Sequence, residues 1–160
     1  MIEMRTPPFR PEEARDTLVA RIMAAVQRKD WVNAGQYADH AIRSGFEDAQ
    51  LLHIRAIARE GGGQGLEALA DLERAHFLDS SSDAIAAALG ACLARLGRHA
   101  RAIEVLQALI VRRPEAVDVH VSLGALQMAS KDLVGARASF ERALDSVSYT
   151  HLTLPTIYSV

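Results

Sequence analysis

The chain is poor in the side chains from which covalent and catalytic sites are built. Among 160 residues there is one cysteine, Cys92, so no disulfide can close within the chain. Aromatic residues make up only 5% and the formal net charge is -2, a balance that calls for no nucleic-acid partner. Lysine occurs only at Lys29 and Lys131. The remaining basic residues are arginines, and with the abundant alanine this bias points to a high-GC bacterial genome. No apolar run reaches the roughly eighteen residues of a membrane helix, so no membrane partner is expected. The opening stretch from Met1 to Glu13 carries Pro7, Pro8, Pro11 and charges in place of the apolar segment of a secretory signal. The cytoplasm is the expected compartment.

What is present is a period. Ala34, Ala68, Ala102 and Ala136 stand 34 residues apart, and frames 15–48, 49–82, 83–116 and 117–150 align without a gap. A second small column, Ala41, Ala75 and Ala143 with Leu109 in the third frame, follows seven residues after the first. Ala38, Leu72, Leu106 and Phe140 lie between them, so both faces of a helix recur. A fixed period of this length marks stacked repeats rather than one globular core. Within a frame, apolar residues recur at helical spacing, as in Leu89, Cys92, Leu93 and Leu96 and then Ile103, Leu106, Leu109 and Ile110. That pattern predicts two amphipathic helices per frame, neither able to bury its stripe alone.

The third frame carries Leu89, Gly90, Leu93, Gly97, Ala102, Leu106 and Pro114, and the fourth His120, Leu123, Gly124, Ala136, Phe140 and Ala143. At that spacing the sequence resembles the tetratricopeptide repeat family, over residues 15–146. The resemblance implies an all-α fold, a right-handed superhelix of antiparallel helix pairs in about four units. The boundaries read as a lead at 1–14, degenerate units at 15–48 and 49–82, closer matches at 83–116 and 117–146, and a tail at 147–160. In the degenerate units Arg21 and Arg55 replace the family leucine, Ile22 the small residue and Ser80 the proline. These departures predict first helices rotated or frayed relative to the family geometry. Gly63 and Gly97 fall where a left-handed residue ends a first helix, with Lys29 and Lys131 in the same place elsewhere. Pro114 is expected to stop the third unit's second helix, and Ser82 or Asp83 to cap the helix that follows Ser80 and Ser81.

No constellation carries chemistry. Cys92 stands where other units have Ala24, Ala58 and Leu126, which marks a packed core residue. His40, His53, His76, His99 and His120 include no pair three or four residues apart, the spacing a helical metal site wants. The run from Gly61 to Gly65 lacks the Lys-Ser/Thr of a phosphate loop and falls at the turn between the second unit's helices. The triple glycine should make that turn the most mobile point of the array. No cofactor, metal or catalytic activity is expected within this chain.

The resemblance also implies a binding face. The inner curve would be lined by first-helix positions 2, 5, 6 and 9 of each frame: Asp16, Val19, Ala20 and Met23; Gln50, His53, Ile54 and Ile57; Ala84, Ala87, Ala88 and Ala91; Asp118, Val121, Ser122 and Ala125. Family members that clamp an acidic chaperone C-terminus place Lys, Asn and Arg there, and this chain has none. The expected function is a scaffold that holds a protein or peptide segment on a small, apolar, nearly uncharged concave face. A second reading is an accessory array of a larger bacterial enzyme, such as a sulfotransferase or an aspartyl/asparaginyl hydroxylase, in which a downstream domain is the partner.

Residues 147–160, VSYTHLTLPTIYSV, carry no Asp, Glu, Lys or Arg, an abrupt change after a charged helix expected to end at Asp145. The string resembles translated sequencing-adapter DNA and is set aside from the fold reading. On that reading the frame is cut inside the fourth repeat, and since repeat arrays normally end in a polar-faced cap the natural chain is expected to continue.

Overall fold

The computed structural model describes residues 15–152, with side chains to residue 148. The lead at 1–14 and the last part of the tail, 153–160, lie outside the described residues. Among those described there are eight helices and no strand: α1 Arg15–Gln27, α2 Trp31–Arg43, α3 Ala49–Gly61, α4 Gly65–Leu78, α5 Asp83–Arg95, α6 His99–Arg112, α7 Val117–Ala129 and α8 Leu133–Leu152. The described residues form two compact units that divide after Ala75. In the first, α1 and α2 form a hairpin on which α3 packs. In the second, α5 pairs with α6 and α7 with α8.

The 34-residue period sets the turns as well as the helices. Residues 28–30, 62–64, 96–98 and 130–132 join the helices of each pair, and in every case the middle residue is left-handed: Lys29 at φ 58°, Gly63 at 78°, Gly97 at 72° and Lys131 at 64°. This inversion lets two amides reach back to otherwise unpaired helix carbonyls. In the first turn Lys29 N–H donates to the Val26 carbonyl at 2.9 Å and Asp30 N–H to the Ala25 carbonyl at 2.9 Å, and the other three turns repeat both bonds. The residue after the left-handed one opens the next helix. Asp30 accepts from Asn33 N–H at 3.3 Å and Asp132 from Gly135 N–H at 2.9 Å. Asn33, through its side chain and then its backbone, holds the Asp30 carboxyl below the usual carboxylate range. Ser82 caps α5 by accepting from Ile85 N–H, and α6 stops at Arg112, two residues before Pro114.

The column alanines are the floor of the packing. Ala34, Ala68 and Ala102 are fully buried and Ala136 nearly so. The glycines at position 8 bring paired helices closer still. A Cβ on Gly90 would stand 2.7 Å from Leu106 Cδ2, and one on Gly124 2.8 Å from Phe140 Cε1. Position 8 and the residue sixteen later therefore trade volume. The pairs read Ile22 and Ala38, Ala56 and Leu72, Gly90 and Leu106, Gly124 and Phe140, and the first unit simply places the large member on the opposite helix.

Two expectations need correction. The degenerate first helices are neither frayed nor turned away: α1 and α3 are 13 residues long, as α5 and α7 are, and they bury positions 4 and 8 as those helices do. The reason lies at position 7, where each arginine has found a partner sixteen residues on. The Arg21 guanidinium sits 5.8 Å from the centre of the Tyr37 ring, and Arg55 grips Asp71 with two bonds of 2.8 and 2.6 Å. The second correction concerns α8, which does not end at Asp145 but runs on to Leu152. Nothing in 146–152 is a glycine or proline, and the first proline after Asp145 is Pro155.

Within the glycine run, residues 62–64 form the turn that its place in the frame predicts, while Gly61 closes α3 and is held. A Cβ there would overlap Cδ2, Cε2 and Cε3 of the Trp31 indole, which opens α2. Alanine normally gains about 0.5–1 kcal/mol over glycine inside a helix. At Gly61 the overlap reverses the sign, and Gly61→Ala is expected to lose about 1–2 kcal/mol net. In a Trp31→Ala background the same change should stabilise, and thermal melts showing a gain in both backgrounds would contradict this packing.

Candidate functional site

In the compact unit that holds α5 to α8 the expected binding face becomes a defined trough. Ala87, Ala91 and Ala94 of α5 form one wall, and Ser122 and Ala125 of α7 the other. Gly90, Leu106, Val119 and Leu126, all buried residues, form the floor. Leu106 belongs to α6 and reaches the trough only because Gly90 carries no side chain in front of it. Asp118 stands at the end where α7 begins. The volume is about 350 Å³, near the small end for sites that take a ligand or a few side chains. Ser122 spends its proton on the Asp118 backbone carbonyl at 2.8 Å, which leaves its oxygen lone pairs and the Asp118 carboxylate as the polar groups facing out.

Of the residues expected on this face, Ala87, Ala91, Asp118, Ser122 and Ala125 line the trough together. Ala84, Ala88 and Val121 do not, and Val121 is exposed beside it. Sequence reasoning missed the floor. Leu106 had been visible only as a core position of the second helix, and nothing in a column shows that a glycine opposite it opens a window.

In the first unit the expected face is more closed. Ile54 is only 6% exposed and belongs to the core with Leu18, Ile22, Ala34, Ala38 and Leu51, so its side chain is not available to a partner. Gln50 is occupied by Arg15, whose Nη2 donates to Oε1 at 3.1 Å while Nε donates to Asp48 at 2.7 Å. Val19, His53 and Ile57 are half-buried, and Asp16, Ala20 and Met23 are exposed. Burial pushes the His53 imidazole below its ordinary value of 6.5, and the nearby Glu60 charge offsets this only in part. The folded chain thus favours the neutral ring. The associated stability is complete above about pH 6.5 and is lost as the pH falls through the depressed folded value. An NMR titration should give His53 a midpoint below 6.5, and one at or above 6.5 would contradict its placement.

Two further polar groupings are paired within the chain. Arg55 and Arg59 of α3 share Asp71 of α4 and Asp39 of α2, with contacts of 2.6 to 3.3 Å. Burial opposes the Arg55 charge, but the bonds and charges of Asp71 and then Asp39 outweigh it and raise its pKa above the usual range. On the other side of the second unit a hollow of about 290 Å³ lies between α6, α7 and α8. Its buried polar groups are already paired, Ser139 Oγ donating to Gln127 Oε1 at 2.7 Å and His120 Nε2 to the Pro114 carbonyl at 2.7 Å. Cys92 is buried. No described helix is long and apolar enough to cross a membrane.

Comparison with known proteins agrees with the repeat geometry. No curated protein matches the chain. Among solved structures, that of MamA has a TM-score of 0.81 at 19% identity, covering 86% of this chain and 80% of that one. YrrB, described as a TPR protein with an unusual peptide-binding site, has a TM-score of 0.76 at 21% identity, covering 81% and 66%. A tetratricopeptide repeat protein from Parabacteroides merdae has a TM-score of 0.76 at 18% identity, covering 89% and 54%. Likenesses at this level of identity establish the fold. The family model for the tetratricopeptide repeat matches residues 55–112 and 93–149, more than half of the sequence and the same helices whose turns, glycines and alanines repeat in space, and the chain belongs to the tetratricopeptide repeat family.

Proposed function

We propose that this chain is a protein-interaction scaffold that holds a short segment of a partner protein in the trough between α5 and α7. The observation that carries this reading is the trough itself, a concave apolar surface with few polar groups, the form in which segments are usually bound. Its walls are alanines and a serine, so side chains of a partner can approach the helix backbones closely. The floor of Leu106, Val119 and Leu126 offers an apolar anchor point.

The test is selection of a displayed library of random peptides against the full chain, followed by affinity measurement on an Ala125→Trp variant. Ala125 is exposed, so the indole fills the trough without entering the core. Peptides that bind the native chain are expected to lose at least about tenfold in affinity, a difference of about 1.4 kcal/mol. Selection that yields no binder, or binders indifferent to Ala125→Trp, would overturn the proposal.

A further inference from the structure

We infer that the segment held between α5 and α7 is basic and apolar, with one lysine or arginine set two or three residues from a leucine-sized anchor. This rests on the trough being a binding site, as proposed above, and adds the chemistry of its occupant. The argument is one of charge and length. Among the residues that line the trough Asp118 is the single charged one, and among the described residues no cation pairs with its carboxylate. Asp83, at the start of α5, behaves differently: it is held by Arg112 at 3.2 Å and Arg113 at 3.8 Å. An acidic segment would meet Asp118 with like charge and find no donor side chain to compensate, since Ser122 has already spent its proton. A neutral apolar segment would cover the carboxylate and strip it of water without return. A cation instead gains an unpaired acid at the rim, where opposite charge sets partner choice.

Length fixes the spacing. Asp118 and Ala125 mark the two ends of the α7 wall, two helical turns or about 10 Å apart, and the floor residues Val119 and Leu126 follow them on the same helix. An extended segment covers about 3.3 Å per residue. A side chain seated at the Leu126 end of the floor therefore places a cation two or three residues away beside Asp118.

The inference is tested with three synthetic peptides that share one leucine and differ at one site two residues away, bearing lysine, norleucine or glutamate. Binding to the full chain and to its Ala125→Trp, Asp118→Asn and Asp118→Lys variants is measured by calorimetry, with melts confirming that each variant is folded. The lysine peptide should bind roughly 3- to 10-fold more tightly than the norleucine peptide and more tightly still than the glutamate peptide. Asp118→Asn should remove that preference and Asp118→Lys should invert it. If all three peptides bind alike and Ala125→Trp still blocks them, the trough is a binding site but the inference about charge is wrong. If no peptide binds in a way that Ala125→Trp abolishes, the site proposal fails and this inference fails with it.

Discussion

Replacing Asp71 with alanine is expected to lower stability by about 3–5 kcal/mol, more than any surface ion pair could account for. The carboxylate is 5% exposed and receives Arg55 through two bonds and Arg59 at 2.8 Å. Removing it leaves two guanidiniums, 15% and 21% exposed, to share Asp39. The cost is thus that of stranding charge in a largely dry site. It does not measure what the network adds over an apolar core, and a second variant separates the two quantities. The third unit places Leu89 and Val105 where this one has Arg55 and Asp71. Arg55→Leu combined with Asp71→Val copies that pair and leaves Arg59 with Asp39. Such replacement of a buried ion pair by apolar residues is often neutral or stabilising, so the double variant should recover to within about 1 kcal/mol of the native chain or exceed it. Urea denaturation of both variants decides the matter. A loss below about 1 kcal/mol for Asp71→Ala would place the network among ordinary surface salt bridges.

The same network shows where reading the sequence by columns reaches its limit. Register alone predicts left-handed backbone at Lys29 and Lys131, because the period puts them where other units have glycine, and the structure has them at φ 58° and 64°. Ser82 as a cap and Pro114 as a stop were legible for similarly local reasons. Arg21 and Arg55 were legible only as departures from a leucine column. Their compensation sits on another helix, in Tyr37 and Asp71, and becomes visible only when position 7 is compared with the residue sixteen later rather than with its own column. Trp31 over Gly61 is the same kind of fact, a pair across a hairpin that either residue alone does not announce. For the trough, the walls followed from helical spacing, whereas the floor depends on a glycine opposite a leucine of the next helix. The end of α8 is not legible in the sequence because the loss of charge after Asp145 is no change in structure. Charge ends a helix far less reliably than glycine or proline.

Exchange of the large and small partners in the first unit gives the second large effect. Ile22 and Ala38 are both fully buried in one cluster, at the positions where the third and fourth units bring Gly90 against Leu106 and Gly124 against Phe140. Ile22→Ala should cost about 2–5 kcal/mol, because the small Ala38 opposite cannot fill the cavity left behind. Ala38→Leu should cost about 1–3 kcal/mol, because Ile22 already occupies the space. Combined, the two changes reproduce the second unit's pairing of Ala56 with Leu72, and the double variant should be more stable than either single one. The coupling would then be of opposite sign to the two single losses and large compared with the few tenths of a kcal/mol seen between independent sites. Losses that simply add would mean that the spacing of α1 and α2 is fixed elsewhere, by the Ala34 and Ala41 contacts or by the Schellman turn at Lys29. Recovery would mean that the repeat specifies the volume shared by each helix pair and leaves open which helix supplies it, which is why a unit with isoleucine in the glycine column still folds as its neighbours do.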